Sequence, residues 1–265
     1  MPEKSSYDPG TPSWVDLGTS DVDSSVSFYE KVFGWTHESA GPDAGGYGFF
    51  LSGGKQVAGV GPLMDPQQPP AWSSYVTVED ADATAQKVTD LGGQVVAPPM
   101  DLPNDSGRMA VFIDTTGAFI SAFQPRQHTG AELVNEPVSL AWNEHTSRDA
   151  EKAQGFYRDL FGWEFRKLEG EGDGPAYWTF HSQSSGDAPL GGQLEMDENF
   201  PEGLPSFWGV YFAVADTDAT VEKAKSEGGT VHVEPFDTPP GRIANIADPN
   251  SAAFYVIAIN PDFTG

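Results

Sequence analysis

A stretch bounded by two tryptophans occurs twice in this 265-residue chain, and it constrains the fold more than any other feature. The first copy runs from Trp14 to Trp35 and the second from Trp142 to Trp163, and the two align without a gap. Each copy closes with Phe-Tyr, two charged residues, an aliphatic residue and Phe-Gly-Trp. A self-similar chain of this length is predicted to contain two copies of one structural unit.

Each copy predicts a short strand followed by an amphipathic helix. Asp21 can accept hydrogen bonds from the free amides of a first helical turn, and apolar side chains then recur at helical spacing. Gly34 follows in the place where a left-handed residue commonly ends a helix. Asp149 and Gly162 hold the same positions in the second copy, so the sequence predicts two equivalent helices.

The order of predicted elements within each half is a strand, a helix and three strands, and then the same again. A second strand over 72–79 and a second helix over 80–91 recur in the second half as 208–214 and 216–226. We therefore predict two domains joined by a linker, with these bounds: a tail over 1–11, a first domain over 12–126, a linker over 127–137 and a second domain over 138–265.

Composition narrows the classes of partner. With 39 acidic against 14 basic residues the formal net charge is -25, and such a surface repels phosphate groups, so we expect neither nucleic acid nor a membrane as a partner. The acid excess favours solubility, with a preference for cationic ligands as the alternative. The absence of cysteine excludes disulfides, thiolate metal sites and a cysteine nucleophile. The first residues are polar and no long apolar run follows, so we expect a cytoplasmic protein.

The repeated motif, the run Val-Glu-Asp-Ala-Asp-Ala over 78–83 and the turn Asp-Pro-Asn over 248–250 make the chain resemble the vicinal oxygen chelate superfamily. This superfamily includes glyoxalase I, bleomycin resistance proteins and extradiol dioxygenases. The chain resembles in particular the tandem two-domain actinobacterial members that are often labelled hydroxylases, some of which belong to antibiotic pathways. The resemblance implies an α+β fold of two tandem domains, each a pair of βαβββ modules whose curled mixed sheets enclose a cleft.

The resemblance also implies where a metal would be bound. Family enzymes place their ligands on the first strand of each module and on the last strand of the second module. The residues at these positions are Trp14, Ser73 and Ser121 in the first domain and Trp142, Gly209 and Tyr255 in the second. None is a His, Glu or Asp, the donors that such a site requires, so we expect no metal and no other cofactor in either cleft.

The side chains around those positions predict a different kind of site. Side chains two apart on a strand share a face, so Asp16 and Glu144 should line the clefts, with Tyr75 and Tyr211 near them. Each cleft then holds a carboxylate, a tyrosine and aromatic rings, which together form a cage for a flat or extended organic ligand. The other residues predicted to line this cage are Trp14, Trp142, Ser73, Ser121, Phe119, Phe123 and Tyr255.

Two roles are open to these carboxylates. Burial among aromatic rings raises the pKa of a carboxyl group and suits it to proton transfer. We therefore predict Asp16 and Glu144 as catalytic proton-transfer groups, with Tyr75 and Tyr211 as hydrogen-bond donors to a substrate carbonyl. In the alternative, both carboxylates are structural and bind the backbone or the partner module.

Other polar residues also allow two interpretations. Arg108 and Arg242 follow a glycine at matching places, and each could contact an acidic group of a ligand or pair with a nearby acid. His145 aligns with Leu17, whose position puts it against the helices, so we interpret it as a core or edge residue rather than a ligand.

A further histidine lies on a predicted cleft strand. His181 follows Tyr-Trp-Thr-Phe, and with Gln193 or Glu195 on the neighbouring strand it could line the second cleft. The runs that contain Tyr47 and Tyr177 are more typical of core than of a ligand site.

Three functions of different class remain compatible with these residues. The first is a metal-independent enzyme that acts on an aromatic or polyketide-type small molecule of secondary metabolism through acid–base chemistry, namely dehydration, cyclisation or isomerisation. The second is a protein that binds and sequesters a drug or metabolite. The third, a metal-dependent oxygenase or lyase, is favoured by the resemblance and opposed by the missing ligands. We expect a monomer or a homodimer whose partner is a small molecule with aromatic character.

Overall fold

The computed structural model describes residues 3–168 and 174–263, and it contains two eight-stranded sheets, one in each half of the chain. The elements of the first half are β1 (Pro12–Thr19), α1 (Val22–Phe33), β2 (Thr36–Ser39), β3 (Gly48–Ser52), β4 (Lys55–Pro62), β5 (Ala71–Thr77), α2 (Ala81–Asp90), β6 (Gln94–Asp101), β7 (Gly107–Ile113) and β8 (Phe119–Pro125). Those of the second half are β9 (Leu140–Ser147), α3 (Ala150–Phe161), β10 (Glu164–Lys167), β11 (Tyr177–His181), β12 (Gly191–Glu195), β13 (Phe207–Ala213), α4 (Thr217–Ser226), β14 (Thr230–Thr238), β15 (Gly241–Ala247) and β16 (Ala253–Ile259).

Each sheet consists of two βαβββ modules joined edge to edge. The strand orders are β2-β3-β4-β1-β5-β8-β7-β6 and β10-β11-β12-β9-β13-β16-β15-β14. The first strands of the two modules pair antiparallel at the centre, while the first and last strands within each module pair parallel. The predicted fold class, an α+β chain of two tandem repeats with mixed sheets, is confirmed. The domain boundaries given above stay predictions.

The four edge strands, β2, β6, β10 and β14, have no clear pattern in the sequence. Most of their residues are exposed or half-buried on both faces. A strand that is solvated on both faces lacks the alternation of apolar and polar residues that identifies a half-buried strand. The strands that were predicted bury at least one face.

The predicted helix ends are confirmed. The Asp21 carboxylate accepts a hydrogen bond from the amide of Ser24, and Gly34 ends α1 in the left-handed region at φ 72°. In α3, Asp149 accepts from the amide of Lys152, and a left-handed glycine again follows the helix. Within the described residues, no helix is long and apolar enough to span a membrane.

The helix-bearing faces of the two sheets pack against each other, so the core crosses from one half of the chain to the other. Trp72 lies 5.0 Å from Phe212 between ring centroids, and Tyr29 lies 5.4 Å from Phe254. A second cluster joins buried residues of both halves, among them Phe112, Ile120, Phe156, Tyr157, Trp163 and Phe180. The opposite, concave faces of the sheets are therefore free to form the two clefts.

Two aspartate turns are exchanged between the halves. Asp114, in the turn between β7 and β8, accepts a hydrogen bond at 2.7 Å from the Tyr157 hydroxyl of the other half, and its Oδ2 lies 3.1 Å from Nε2 of His145. Asp248, in the equivalent turn of the second half, accepts from the Ser25 hydroxyl of the first half at 3.0 Å. Each half therefore completes the core of the other, and His145 is a core residue, as predicted.

Candidate functional site

The concave face of each sheet carries a carboxylate near its centre. Asp16 on β1 lies opposite Gly59 on β4, and Glu144 on β9 lies opposite Gly192 on β12. The two carboxylates therefore occupy equivalent positions in two equivalent sheets. A small residue beside each of them leaves space above the strand.

Two tyrosines hold the carboxylate of the first cleft. The hydroxyls of Tyr75 and Tyr47 both donate to Oδ2 of Asp16, at 2.9 and 3.2 Å. Nε1 of Trp14 donates in turn to the Tyr47 hydroxyl at 3.1 Å. A hydroxyl that accepts from an indole N–H can direct its own proton to the carboxylate, so the three groups form a continuous chain of hydrogen bonds.

The second cleft repeats this arrangement. The Tyr211 hydroxyl donates to Oε1 of Glu144 at 2.8 Å, and Nε1 of Trp142 donates to the Tyr177 hydroxyl at 3.0 Å. Tyr177 also lies close enough to Glu144 to stabilise its charged form. The ring of Tyr255 stacks on that of Tyr211 with centroids 4.3 Å apart. The second cleft therefore has a stacked pair of tyrosines beside its carboxylate.

Glycine is required on the strand beneath each outer tyrosine. A Cβ on Gly59 would overlap the hydroxyl of Tyr47, and a Cβ on Gly192 would overlap the hydroxyl of Tyr177. Because these rings lie across the strand, any larger residue would push the hydroxyl away from its carboxylate. The tyrosine and the glycine therefore act as one unit in each half.

Burial raises the pKa of both carboxyl groups. The pKa of Asp16 rises to about 6 because burial penalises the charged form more than the two tyrosine hydrogen bonds favour it. Burial likewise raises the pKa of Glu144 against the opposing hydrogen bonds of its tyrosines. Burial and the neighbouring carboxylates raise the pKa values of the tyrosines well above their usual range, so these groups remain protonated donors. A carboxyl group of raised pKa can both take up and release a proton near neutral pH.

Most residues predicted to contact a ligand lie on the concave faces. In the first cleft Ser121 and Phe123 are buried, and Phe119, the first residue of β8, is 49% exposed. In the second cleft Trp142 and Tyr255 are half-buried. The full set on the concave faces is Trp14, Ser73, Ser121, Phe119, Phe123, Trp142, Tyr255 and His181. Their contacts with a ligand stay predictions.

Arg108 and Arg242 do not lie in the clefts, so the prediction that places them among the cleft residues is wrong. Along its strand, each arginine lies one residue away from the positions that face the cleft. Its side chain therefore points to the helix side of the sheet. Nε of Arg108 lies 2.7 Å from Asp82 on α2, and Nε of Arg242 lies 2.6 Å from Asp218 on α4. The alternative, that each pairs with a nearby acid, is confirmed.

Gln193 also lies on the helix side, so its predicted place in the second cleft is wrong. Its Nε2 contacts Nδ1 of His145 at 3.2 Å, and its Oε1 accepts from Gln154 on α3 at 2.8 Å. The physical reason is the strand register, which pairs Gln193 with Trp178. Glu195, two residues further along the strand, lies on the same face beside α3.

His181 shares the concave face with Tyr177 but lies at the far end of β11. Its Nε2 is 2.9 Å from Oγ1 of Thr179, and its Nδ1 is buried without a hydrogen-bond partner in the described part of the chain. Burial lowers its pKa. The distance along the strand separates His181 from Glu144, and its contact with a ligand stays a prediction.

The tyrosines differ from the prediction in role and in number. Tyr75 and Tyr211 were predicted to donate to a substrate carbonyl, but their hydroxyls donate to the carboxylates instead. Tyr47 and Tyr177, which the sequence assigns to the core, complete the two sites. The signal that could have found them is the recurrence in both halves of a tyrosine at the start of one strand and a glycine on the next.

The clefts do not fit the divalent metal that the fold family implies. The donor positions hold tryptophan, serine, glycine and tyrosine, and Asp16 and Glu144 are surrounded by hydroxyl and indole groups. In the ranges 3–168 and 174–263 no three His, Cys, Asp or Glu side chains converge on one point. A carboxylate with phenolic neighbours of raised pKa is a poor donor set for such an ion.

Comparison with known proteins gives matches over the whole chain. The profile of the Glyoxalase/Bleomycin resistance protein/Dioxygenase superfamily matches residues 11–121 and 140–254. CFP32 of Mycobacterium tuberculosis, provisionally named a glyoxylase, is 39% identical over 267 residues, which cover 98% of this chain and 99% of that protein. The anthracycline biosynthesis protein DnrV of Streptomyces peucetius is 37% identical over 272 residues, which cover 97% and 96%.

Solved structures share the fold at low sequence identity. An extradiol ring-cleaving dioxygenase from B. fuscum matches with a TM-score of 0.64 at 15% identity, covering 99% of this chain and 77% of that chain. The Mn(II)-bound glyoxalase from Novosphingobium aromaticivorans matches with a TM-score of 0.62 at 16% identity, covering 97% and 83%. At this level of identity the likeness establishes the fold alone.

Proposed function

The chain belongs to the glyoxalase/bleomycin resistance protein/dioxygenase superfamily, and on this basis we propose that it is an enzyme of secondary metabolism that works by acid–base chemistry without a metal. The substrate is an aromatic or polyketide-type small molecule, and the reaction is a dehydration, a cyclisation or an isomerisation. The observation that carries the proposal is the buried carboxyl group of raised pKa that tyrosines hold in each cleft.

Two Streptomyces relatives support the substrate class. DnrV and its counterpart DauV, which is 38% identical over 268 residues, are named as anthracycline biosynthesis proteins. Anthracyclines are fused-ring aromatic polyketides. The stacked rings of Tyr211 and Tyr255 beside Glu144 give such a molecule an apolar surface next to a proton-transfer group.

Glu144 is the group that we favour for proton transfer. Its Oε1 accepts from Tyr211, and its carboxylate can take a proton from a carbon beside a ketone, which leaves an enolate. Returning that proton to a different carbon gives an isomer. Delivering it to a hydroxyl on the next carbon releases water and completes a dehydration. The hydrogen bond from Tyr211 and the nearby hydroxyl of Tyr177 stabilise Glu144 in the step in which it is charged.

A binding protein that sequesters its ligand is the second candidate. It is favoured by the fact that tyrosine hydroxyls already satisfy the carboxylates of both clefts, as in a purely structural site. Recovery of the ligand discriminates between the two. An enzyme returns it altered, or with exchanged protons, whereas a sequestering protein returns it unchanged.

Exchange of substrate protons with solvent tests the proposal without knowledge of the product. A panel of aromatic polyketide ketones is incubated with the protein in D2O, and the signals of protons beside the ketone are followed by NMR. Glu144→Gln should lower the exchange rate by about 100- to 10,000-fold, because the amide cannot accept the proton. Glu222→Gln, at an exposed glutamate on α4, is the matched control and should leave the rate unchanged.

Two results would contradict this function. Exchange that persists when Asp16 and Glu144 are both replaced by amides would exclude them as the proton-transfer groups. Activity that is lost on chelation and restored by a divalent metal would favour a metal-dependent oxygenase or lyase. A small-molecule partner, the lack of nucleic-acid and membrane partners, a monomeric or homodimeric state and a cytoplasmic location stay predictions.

A further inference from the structure

A cavity of about 310 Å³ opens at the edge of the first cleft. This volume lies within the range of small-molecule sites, about 300–1,000 Å³. Its walls come from β3, β4, the β6–β7 loop and the linker, and they include Phe49, Gln56, Asn104, Gln127, His128 and Glu132. Among the described residues, neither Asp16 nor Glu144 lines it. The cavity is therefore distinct from the two carboxylates proposed above for proton transfer.

Hydrogen bonds between these elements shape the cavity before any ligand is bound. On the linker, the amide of Glu132 donates to the carbonyl of Gln56 at 2.8 Å, and the amide of Gln56 donates to Oε2 of Glu132 at 2.7 Å. In the β6–β7 loop, Nδ2 of Asn104 donates to the carbonyl of Ala40 at 3.0 Å. The side chains of Glu132 and Asn104 are therefore held in place, which lowers the entropy cost of binding a ligand.

Glu132 gives the cavity its charge. It is the one acidic residue among the lining residues that the structure describes, and none of them is a lysine or an arginine. Lys55 on β4 pairs with Glu3 at 3.4 Å. Arg126, just before the linker, pairs with Asp101 at 2.7 Å. Within residues 3–168 and 174–263 no basic side chain forms an ion pair with Glu132, so its carboxylate is available to a cation.

Two rings form an apolar wall of the cavity. The imidazole of His128 lies 5.6 Å from the ring of Phe49 between centroids, and it packs on Trp14 at 4.4 Å. Burial lowers the pKa of His128 to about 4, so the imidazole is neutral at physiological pH and does not repel a cation. Because the face of an aromatic ring attracts cations, the rings and the carboxylate favour the same kind of ligand.

We propose that this cavity binds a small arylalkyl amine, a cation whose ammonium group pairs with Glu132 and whose ring packs against Phe49 and His128. The ammonium group donates hydrogen bonds to the carboxylate, and such charge-assisted bonds are roughly twice as strong as neutral ones. The net charge of -25 attracts ligands of the same sign to the protein. This site lies beyond the proposed function, since it uses neither Asp16 nor Glu144.

Three probes with one ring and different charges test the inference by calorimetric titration of the full-length protein. Tyramine carries the ammonium group, tyrosol replaces it by a hydroxyl, and hydroxyphenylpropanoate carries a carboxylate. The wild type should bind one equivalent of tyramine. Tyrosol should bind about 10-fold or more weakly, because it lacks the charge that pairs with Glu132. Hydroxyphenylpropanoate should show no saturable binding, since its carboxylate meets a like charge.

Variants of the lining separate the ion pair from attraction by the acidic surface as a whole. Glu132→Gln should weaken tyramine binding by about 10- to 100-fold, to the affinity of tyrosol, because the amide removes the charge at nearly constant shape. Glu136→Gln is the matched control, since it removes one charge from an exposed position of the same linker outside the cavity, and it should keep the wild-type affinity. Phe49→Leu should weaken tyramine binding by about 3-fold.

Histidine ring signals show where the amine binds. In protein that contains isotope-labelled histidine, NMR gives a signal for each imidazole, and His128→Phe identifies that of His128 by its loss. This signal should shift on saturation with tyramine, because the ring of the amine packs against it. The signals of His145 and His232, which lie outside the cavity lining, should not shift.

Several outcomes would overturn the inference. They are no saturable binding of tyramine by the wild type, equal affinity for tyramine and tyrosol, or a His128 signal that does not move. An equal loss of affinity in Glu132→Gln and Glu136→Gln would do the same, because it would assign the binding to the acidic surface in general. The NMR measurement uses the wild type, so it decides the question even where a lining variant does not fold.

Discussion

Asp114→Asn should destabilise both halves of the chain together, because this carboxylate is buried where the first half enters the second. Its Oδ2 accepts from the Tyr157 hydroxyl at 2.7 Å and lies 3.1 Å from Nε2 of His145. Asparagine can keep the bonds that Oδ1 accepts from the amides of Thr116 and Ala118. It presents an N–H group instead of an acceptor to Tyr157 and His145. The substitution therefore removes a charge and two partners with almost no change in volume.

The pKa of Asp114 gives the size of the effect. Burial alone would raise it, but the hydrogen bond and charge of His145, with hydrogen bonds from Tyr157 and Thr116, hold it at about 2 instead of 3.8. This difference corresponds to about 2.5 kcal/mol of stability at neutral pH. Because the folded pKa is the lower one, this stability is present above the unfolded pKa and is lost as the pH falls through the folded pKa. We expect a cost of about 2–4 kcal/mol at pH 7 and about 1 kcal/mol less at pH 3.

Urea denaturation followed by tryptophan fluorescence at both pH values measures this cost, and Asp248→Asn is the matched control. Asp248 holds the equivalent buried turn, where it accepts from the Ser25 hydroxyl and from the amides of Asn250 and Ala252. Burial raises its pKa, so its neutral form is favoured and its contribution is lost as the pH rises through the folded pKa. Asp248→Asn should therefore cost less than about 1 kcal/mol, since an amide suits that site.

Equal costs for the two substitutions would refute this reasoning. So would a cost for Asp114→Asn that does not change between pH 7 and pH 3, because the charge would then contribute nothing. A transition that splits into two steps in the variant would show that the two halves lose their mutual contacts before they unfold.

The carboxylate, helix and arginine sites give three further predictions. Asp16→Asn should stabilise the protein by about 1–3 kcal/mol at pH 8 and by less than about 1 kcal/mol at pH 4. The reason is that the raised pKa of Asp16 makes its charged form the costly one. Thermal unfolding at both pH values shows whether the substitution stabilises or destabilises the protein. Gly155→Ala, inside α3 with no atom near the new Cβ, should raise the free energy of unfolding by about 0.5–1 kcal/mol in urea, and a decrease would contradict the described packing. Arg108→Ala and Arg242→Ala should leave the exchange rate of the protons beside the ketone unchanged in the NMR assay, whereas a marked loss would favour a contact between these arginines and the substrate.

Elements whose signals are local could be predicted from the sequence. Asp21 and Gly34 bound α1 where capping rules place them. Alternation along β1 and β5 correctly puts Asp16 and Tyr75 on one face, where they form a hydrogen bond. These patterns depend on residues a few positions apart, so they can be recognised without knowledge of the tertiary structure.

Features that depend on contacts between distant residues could not be predicted. Nothing near Gln193 shows that it pairs with Trp178, and a shift of one residue in register moves a side chain to the other face of a sheet. Tyr47 reaches Asp16 only because the hairpin folds its ring across Gly59. His128 lies in a segment with the composition of a linker, and its entry into a cleft follows from the tertiary structure alone.

The fused linker breaks an equivalence that the repeat itself would preserve. Two identical units that associate through reciprocal contacts, such as the exchanged turns of Asp114 and Asp248, have two identical clefts. A covalent connection runs from the end of one unit to the start of the other, so it crosses one of the two cleft mouths and not its counterpart. With His128 packed against Trp14 in the first cleft, the two clefts no longer have the same lining. The connection therefore gives the two duplicated clefts different surroundings, even where their strands keep equivalent residues.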